Sequence, residues 1–334
     1  MTERTMTLAA VEQISIRALV AAGTREENAA AVARSTMLAE RDGIRSHGLL
    51  YVPIYAEHVR CGKVDGMAHP VVSQPRAGAV VVDAATGFAH PAIDAGWDRF
   101  VTAARENGVA AMTVFNSYNC GVLGHHAERI AEAGLLGLCT THAPASIAPP
   151  GGRRPVIGTN PFALGVPGAD GSAVLVLDQS ASVVAKSEIL LRSRGGLPIE
   201  PGWAIDADGA PTLDAAAALK GSMLPAGGHK GFGVGLLVEI LASCLSGAAL
   251  SKDASPFSGT AGGPPRTGQC FIAFDPSAFS GVFPQQVASL VDAIAAQEGT
   301  RLPGARRQAA RLRTEREGVR VDPALMERIE ALCA

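Results

Sequence analysis

Arg41-Asp42-Gly43-Ile44-Arg45-Ser46-His47-Gly48, near the N-terminus, is the stretch from which the rest of the chain is read. A serine directly before a histidine can form a short proton relay. The hydroxyl steadies or feeds the imidazole, and the imidazole titrates near neutral pH. Gly48 lets backbone or substrate come close. Taken alone, the octet describes a capped helix end with a satisfied histidine even better. What stands further along the chain changes the balance.

Upstream, residues 7–41 read as two helices. Leu8, Val11, Ile14, Leu19 and Val20 sit near helical spacing, and Gly23-Thr24 breaks the run. Thr24, with Glu26 and Glu27 after it, reads as the N-cap and acidic first turn of the second helix. A third helix covers Leu50–Val59. From residue 70 the texture changes. Val71-Val72, Ala79–Asp83, Ala110–Phe115, Leu136–Thr141, Ala173–Asp178 and Gln269–Phe274 read as strands, with helices around 91–107 and 124–134. This alternation predicts α/β layers. Residues 231–247 read as an apolar helix, 198–209 and 255–268 as surface loops, and the tail from Pro284 as helix.

Composition excludes several classes. The 334 residues are 47% hydrophobic and 18% charged, enough for two or three core-bearing subdomains. A net charge of −2 and a pI near 6.5 advertise neither nucleic acid nor an anionic membrane as partner. The apolar run 231–245 contains Glu239 and several glycines, too short and mixed for a membrane span. Met1–Thr5 lacks the apolar segment of a secretory signal. Six cysteines without paired spacing fit reduced thiols in the cytoplasm, and neither a disulfide framework nor a zinc site.

The layers invite a dinucleotide, but the usual fingerprint is missing. Gly228-His229-Lys230-Gly231-Phe232-Gly233-Val234-Gly235 is glycine-rich yet follows a loop, and no Walker sequence is present. Other segments suit phosphate. Pro225–Gly231 opens the apolar helix, so its amides and Lys230 favour an anion; a plain glycine-rich helix start fits as well. The turn Arg301–Arg307 carries three arginines, whose forks suit phosphate oxygens, although a solvent-facing turn reads equally. Asp178-Gln179-Ser180 ends a strand, where ligands collect in α/β layers. Glu188 becomes a general acid if burial raises its pKa; otherwise it is a helix-start glutamate meeting the macrodipole. His125-His126 face different ways and do not read as a metal site. Cys120 reads as a buried structural thiol.

Together these segments resemble one family, the malate/L-lactate dehydrogenases that do not use a Rossmann fold. The resemblance lies in Arg41-Asp42-Gly43 with Ser46-His47-Gly48, Gly62-Lys63-Val64-Asp65-Gly66, Gly151-Gly152-Arg153 with Gly158-Thr159-Asn160-Pro161, Pro201–Asp206, Gly228–Gly231 with Val238-Glu239, and Leu302-Pro303-Gly304. It implies a helical domain from both chain ends (1–70 plus 285–334) and a mixed-sheet α/β region binding cofactor and substrate (71–284). It also implies a homodimer, and hydride transfer between NADPH or NADH and C2 of a small 2-oxo or 2-imino carboxylate. In its terms Ser46 and His47 are the relay, and Tyr51, Asn119 and Thr159 border the substrate. Asp178, Gln179, Ser180, His229, Lys230, Leu302, Pro303, Gly304 and Arg306 meet the cofactor. No metal is implied. Arg306 and Arg307 favour NADPH through a 2′-phosphate.

Three departures shape the substrate expectation. Tyr51 and Asn119 stand where many members carry arginine and histidine. Glu188 stands where the similar Δ1-piperideine-2-carboxylate/Δ1-pyrroline-2-carboxylate reductases place an acidic proton donor. An imine must be protonated at nitrogen before hydride arrives, and a carboxyl suits that step. The resemblance therefore implies reduction of a cyclic 2-imino acid. The alternatives are a 2-hydroxy acid dehydrogenase of the sulfolactate, malate, lactate or ureidoglycolate type, and a non-catalytic ligand-binding homologue.

Overall fold

The computed structural model describes residues 4–333. The chain opens with β1 (Arg4–Met6), α1 (Leu8–Ala21) and α2 (Glu26–Arg41), then single 3-10 turns over Arg45–His47 and Leu49–Tyr51, and α3 (Val52–Arg60). Thr7 caps α1 by accepting from the Ala10 amide at 3.1 Å. Thr24 does not cap α2. The N-cap is Arg25, whose side chain makes no capping bond, and Thr24 is buried with its hydroxyl unpartnered. Packing decides this: Gly66 lies so close over Thr24 that an added Cβ would stand 2.8 Å from its hydroxyl.

β2 (Val71–Arg76), β3 (Ala79–Asp83), α4 (Ala89–Asn107), β4 (Val109–Ser117), α5 (Leu123–Glu132), β5 (Leu136–Thr141), β6 (Phe162–Pro167) and β7 (Ala173–Gln179) follow. Next come α6 (Lys186–Arg194), β8 (Ala204–Ile205), α7 (Ala215–Lys220), β9 (Ser222–Met223) and α8 (His229–Glu239). The apolar stretch after Gly228 is thus helical from His229, and it turns π-helical over Ile240–Cys244. β10 (Thr267–Phe274), α9 (Phe283–Ala295), α10 (Ala305–Glu317), β11 (Val319–Val321) and α11 (Pro323–Leu332) complete the chain.

Seven strands form one mixed sheet in the order β2-β3-β4-β10-β5-β6-β7. β3 and β4 run parallel across the α4 crossover; the other pairings are antiparallel. β10 arrives late in sequence yet sits in the middle, and it pairs Phe271 with Met112 on one side and with Cys139 on the other. Val80, Val82, Phe100, Met112, Ile130 and Phe271 share the buried cluster between this sheet and α4/α5. β6 has no clear strand signal: it carries Gly165 and ends at Pro167. Gly165 is needed because α5 lies against it, and a Cβ there would run into the Ala127 carbonyl.

The chain ends meet. β1 pairs antiparallel with β11, Arg4 opposite Val321. Met6, Val11, Ile14 and Val52 pack with Val319, Leu325, Met326 and Ile329 in a second cluster. A third cluster (Ile147, Ile157, Ala181, Ile189, Ala204 and Met223) belongs to the excursion between β5 and β10, and a fourth joins Phe88 and Tyr118 to Leu19, Val32 and Tyr55 of the N-terminal helices. Among the described residues no helix is long and apolar enough to cross a membrane.

Gly165→Ala tests the α5–β6 contact. Overpacking costs about 1–3 kcal/mol, so the variant should unfold at lower temperature and lower urea. Unchanged unfolding curves would contradict the packing described.

Candidate active site

α2 ends at Arg41, and Gly43 takes a positive φ of 72° to turn the chain towards Ser46. The Glu40 carboxylate reaches forward and accepts from the Leu49 amide at 2.7 Å. Gly48 lies directly on that carboxylate, leaving no room for a side chain. This clamp holds the relay loop. Within it Ser46 Oγ lies 3.0 Å from His47 Nδ1. The His47 ring stacks parallel on Tyr51, with centroids 5.8 Å apart and planes 6° apart, and Tyr55 packs behind Tyr51. Burial pushes the His47 pKa below the ordinary 6.5; the Asp178 carboxylate pulls it back up, and His125 adds to the downward push.

Two carboxylates organise the charge around this pair. Asp178, in the last turns of β7, accepts from the Gly124 amide at 2.9 Å and from Arg307 Nη2 at 2.7 Å. Gly124 lets this pair close in: a Cβ there would stand 2.8 Å from Asp178 Oδ2 and displace the Arg307 guanidinium. Asp42, with a fully buried side chain, accepts from Arg41 at 2.9 Å, from His125 at 3.1 Å and from both ends of the Arg311 fork at 3.1 and 3.0 Å. Burial alone would raise the Asp42 carboxyl, but His125, Arg311 and Arg41 outweigh it and hold it well below the usual carboxylate range. His125, read from sequence only as a rejected metal ligand, is thus a structural partner.

The Asn119 amide oxygen is committed. It accepts from the Gly121 amide at 2.7 Å and from the Tyr55 hydroxyl at 3.4 Å. His126 Nε2 donates to the Cys120 carbonyl at 2.9 Å and holds the same loop. Cys120 is buried and burial pushes its thiol up to about 12, as suits a structural residue. His125 and His126 therefore face separate partners. Among the described residues no cluster of three or more metal-ligating side chains exists.

Backbone pairing joins the segments that carry Thr159 and Ser180 to the turn that precedes Lys230. The Ala181 amide donates to the Thr159 carbonyl at 2.8 Å, and the Ala226 amide to the Ala181 carbonyl at 2.8 Å. Ser182 thereby pairs with Pro225 just before the glycine-rich turn. Asn160, beside Thr159, donates to the Gly235 carbonyl and to Glu239, and Glu239 also accepts from the Ser251 amide. This buried set fixes α8 against the strand end. Ser180 Oγ meets Ser182 Oγ at 2.9 Å. Gln179, on the strand edge, pairs with Phe162. At the start of α8, Gly227 and Gly228 have positive φ, no side chain caps the helix, and His229 and Lys230 are exposed. Free first-turn amides beside a lysine fit a phosphate group.

The Leu302-Pro303-Gly304 turn lies against β7, with Gly304 over the Val176 backbone. Arg306 is exposed and makes no ion pair, whereas Arg307 is spent on Asp178. Only Arg306 of that adjacent pair is thus left for a 2′-phosphate. Glu188 is engaged by an arginine. It sits in the first turn of α6 in the third core, with Arg192 Nε on its carboxylate at 3.1 Å and its side chain 39% exposed.

The sequence profile described as malate/L-lactate dehydrogenase matches residues 6–330. The chain belongs to that family, and it is an oxidoreductase. It is 41% identical over 331 residues to a Δ1-pyrroline-2-carboxylate reductase of Ancylobacter novellus, covering 98% of this chain and 97% of that one. It is equally 41% identical, over 330 residues and 98% of each chain, to a (2R)-3-sulfolactate dehydrogenase (NADP+) of Chromohalobacter salexigens. The crystal structure of Δ1-piperideine-2-carboxylate reductase from Pseudomonas syringae superposes with a TM-score of 0.92 at 35% identity, covering 98% of this chain and 99% of that one.

Two buried histidines, His126 and its neighbour His90, make stability depend on pH. Burial lowers His90 to about 3 and His126 to about 4, so both stay neutral when folded. Below the ordinary 6.5 the unfolded chain binds more protons, and stability falls as pH drops from there towards 3–4. At pH 5 each should cost at most about 2 kcal/mol. Urea unfolding at pH 7 and pH 5 checks this: the midpoint should fall in the native protein and fall less in His90→Gln/His126→Gln.

Proposed function

We propose that this protein catalyses NAD(P)H-dependent reduction at C2 of a small cyclic 2-imino acid, Δ1-pyrroline-2-carboxylate or Δ1-piperideine-2-carboxylate, to the cyclic amino acid. The observation that carries the chemistry is the half-buried Ser46–His47 pair at 3.0 Å, poised by Asp178. The likeness to pyrroline- and piperideine-carboxylate reductases over nearly the whole chain supports the substrate class. NADPH or NADH, once bound, supplies the hydride. The uncapped start of α8 with His229 and Lys230, the Asp178-Gln179-Ser180 strand end, the Leu302–Gly304 turn and Arg306 would hold it, and the free Arg306 favours NADPH.

The protein's own part is to orient and to move a proton. With the Ser46 hydroxyl donating to Nδ1, neutral His47 carries its proton on Nε2; when protonated, it donates from Nε2 towards the reacting centre. Asp178 favours that protonated form, while Arg307 and Gly124 keep the carboxylate in place. Thr159 and Asn119 border the substrate. The same proposal includes a cytoplasmic homodimer, for which exposed Leu236, Leu237, Ile240 and Leu245 along α8 and its π-helical end supply apolar surface. It also includes a division into a helical domain (1–70 plus 285–334) and a cofactor- and substrate-binding region (71–284).

A second reading, NAD(P)-dependent 2-hydroxy acid dehydrogenase, is favoured by one observation: the Glu188 carboxylate is engaged by Arg192. A turnover screen with both cofactors against cyclic imino acids and 2-oxo acids separates the readings. His47→Ala should lose about 10²–10⁴-fold in rate; full activity in that variant would remove the relay from the mechanism. Glu188→Gln should slow imine reduction far more than ketone reduction if Glu188 protonates the imine, and equal effects would assign proton delivery to His47 for both. Because burial lowers the His47 pKa, the protonated donor is lost as pH rises through a value below 6.5, so kcat/KM for reduction should climb on the acid side. A profile that climbs towards alkaline pH would contradict His47 as donor.

A further inference from the structure

The two relatives at 41% identity act on different acids, one with a single anionic group and one with a sulfonate besides its carboxylate, so likeness alone does not choose between them. The charge arrangement around His47 does. Arg41 and Arg311 end on Asp42, Arg307 ends on Asp178, and Arg34 and Arg129 both end on Asp94. Arg45, beside the pair, is exposed. Lys230 is also exposed, at the α8 turn suited to phosphate. The flank of His47 itself is aromatic: Tyr51 lies parallel to the imidazole, Tyr55 is tilted 52° to the Tyr51 ring at 5.2 Å, and Phe88 and Tyr118 pack edge-on behind Tyr55.

A substrate with a second anion at its C3 end would have to lay that group on this ring wall or draw an arginine away from Asp42 or Asp178. Either choice leaves a charge unpaired in a half-buried place, and reaching out to exposed Arg45 instead gains little in solvent. The methylenes of a saturated ring instead gain by covering the Tyr51 face. Resting on the reading that C2 is reduced beside His47, we propose that Tyr51 is the specificity-determining residue, selecting monoanionic 2-imino or 2-oxo acids with an apolar flank and rejecting dianionic ones.

The test measures kcat/KM with NADPH for Δ1-piperideine-2-carboxylate, 2-oxopentanoate, sulfopyruvate and oxaloacetate in native protein, Tyr51→Phe and Tyr51→Arg. Thermal melting and NADPH fluorescence titration show which variants are folded and bind cofactor. The native protein should prefer 2-oxopentanoate over both dianions by about 100-fold or more. Tyr51→Phe, which keeps the ring, should keep that ratio; Tyr51→Arg should narrow it about tenfold or more by raising dianion turnover. A native preference for dianions, or an unchanged ratio in a folded, NADPH-binding Tyr51→Arg, overturns the proposal. If Tyr51→Arg does not fold, Tyr51→Lys takes its place, and an unchanged ratio in that folded, NADPH-binding variant overturns the proposal. If the imine is not reduced while 2-oxopentanoate is still preferred over the dianions, the imine reading falls and the role of Tyr51 stands.

Discussion

A buried carboxylate holds the site together. The Asp42 side chain has no exposed surface, and its oxygens are filled by Arg41 from α2, His125 from α5 and Arg311 from α10. Three elements far apart in sequence therefore end on one residue, just before the relay loop. Removing Arg311, which supplies two of the bonds, would leave a buried carboxylate short of donors and destabilise the fold. Arg311 also bonds Glu128, one turn from His125 on α5. One helical turn earlier on α10, Arg307 performs the matching task for Asp178. α10 thus reaches from the helical layer to the end of β7 through two arginines at i, i+4 spacing.

This arrangement explains how a site forms without the usual dinucleotide fingerprint. The sheet is mixed, and its one described parallel pair, β3/β4, lies away from the β7 edge where Asp178 ends. The phosphate-suited turn comes after the third core, when α8 begins directly beside the strand end that carries Ser180. Asn160 and Glu239 lock that approach from within. Glycines occur where backbones or charged groups press together: Gly48 on Glu40, Gly124 on the Asp178–Arg307 pair and Gly165 on α5.

The relay pair, the strand end at Asp178 and the α8 start were legible because each is local: neighbouring residues, a strand followed by polar residues, glycines before an apolar helix. Strand β6 was not, since Gly165 and Pro167 mask its periodicity and only the fit against α5 explains them. Thr24 was legible as a cap, and burial under Gly66 decided otherwise. Glu188 was placed correctly in the first turn of a helix, but its part-exposed pairing with Arg192 depends on how α6 sits in the third core.

By itself the sequence determined the order of α/β elements, the serine–histidine couple, the absence of a Rossmann signature and the family. Only the tertiary structure decided which charges are spent. Asp42 and Arg311 are 269 residues apart and Asp178 and Arg307 are 129 apart, and no spacing rule connects them. Folding brings them within hydrogen-bond reach because an ionised group can stay buried only beside an opposite charge. That pairing also leaves an aromatic wall along the flank of His47, with Arg41, Arg307 and Arg311 committed to buried carboxylates.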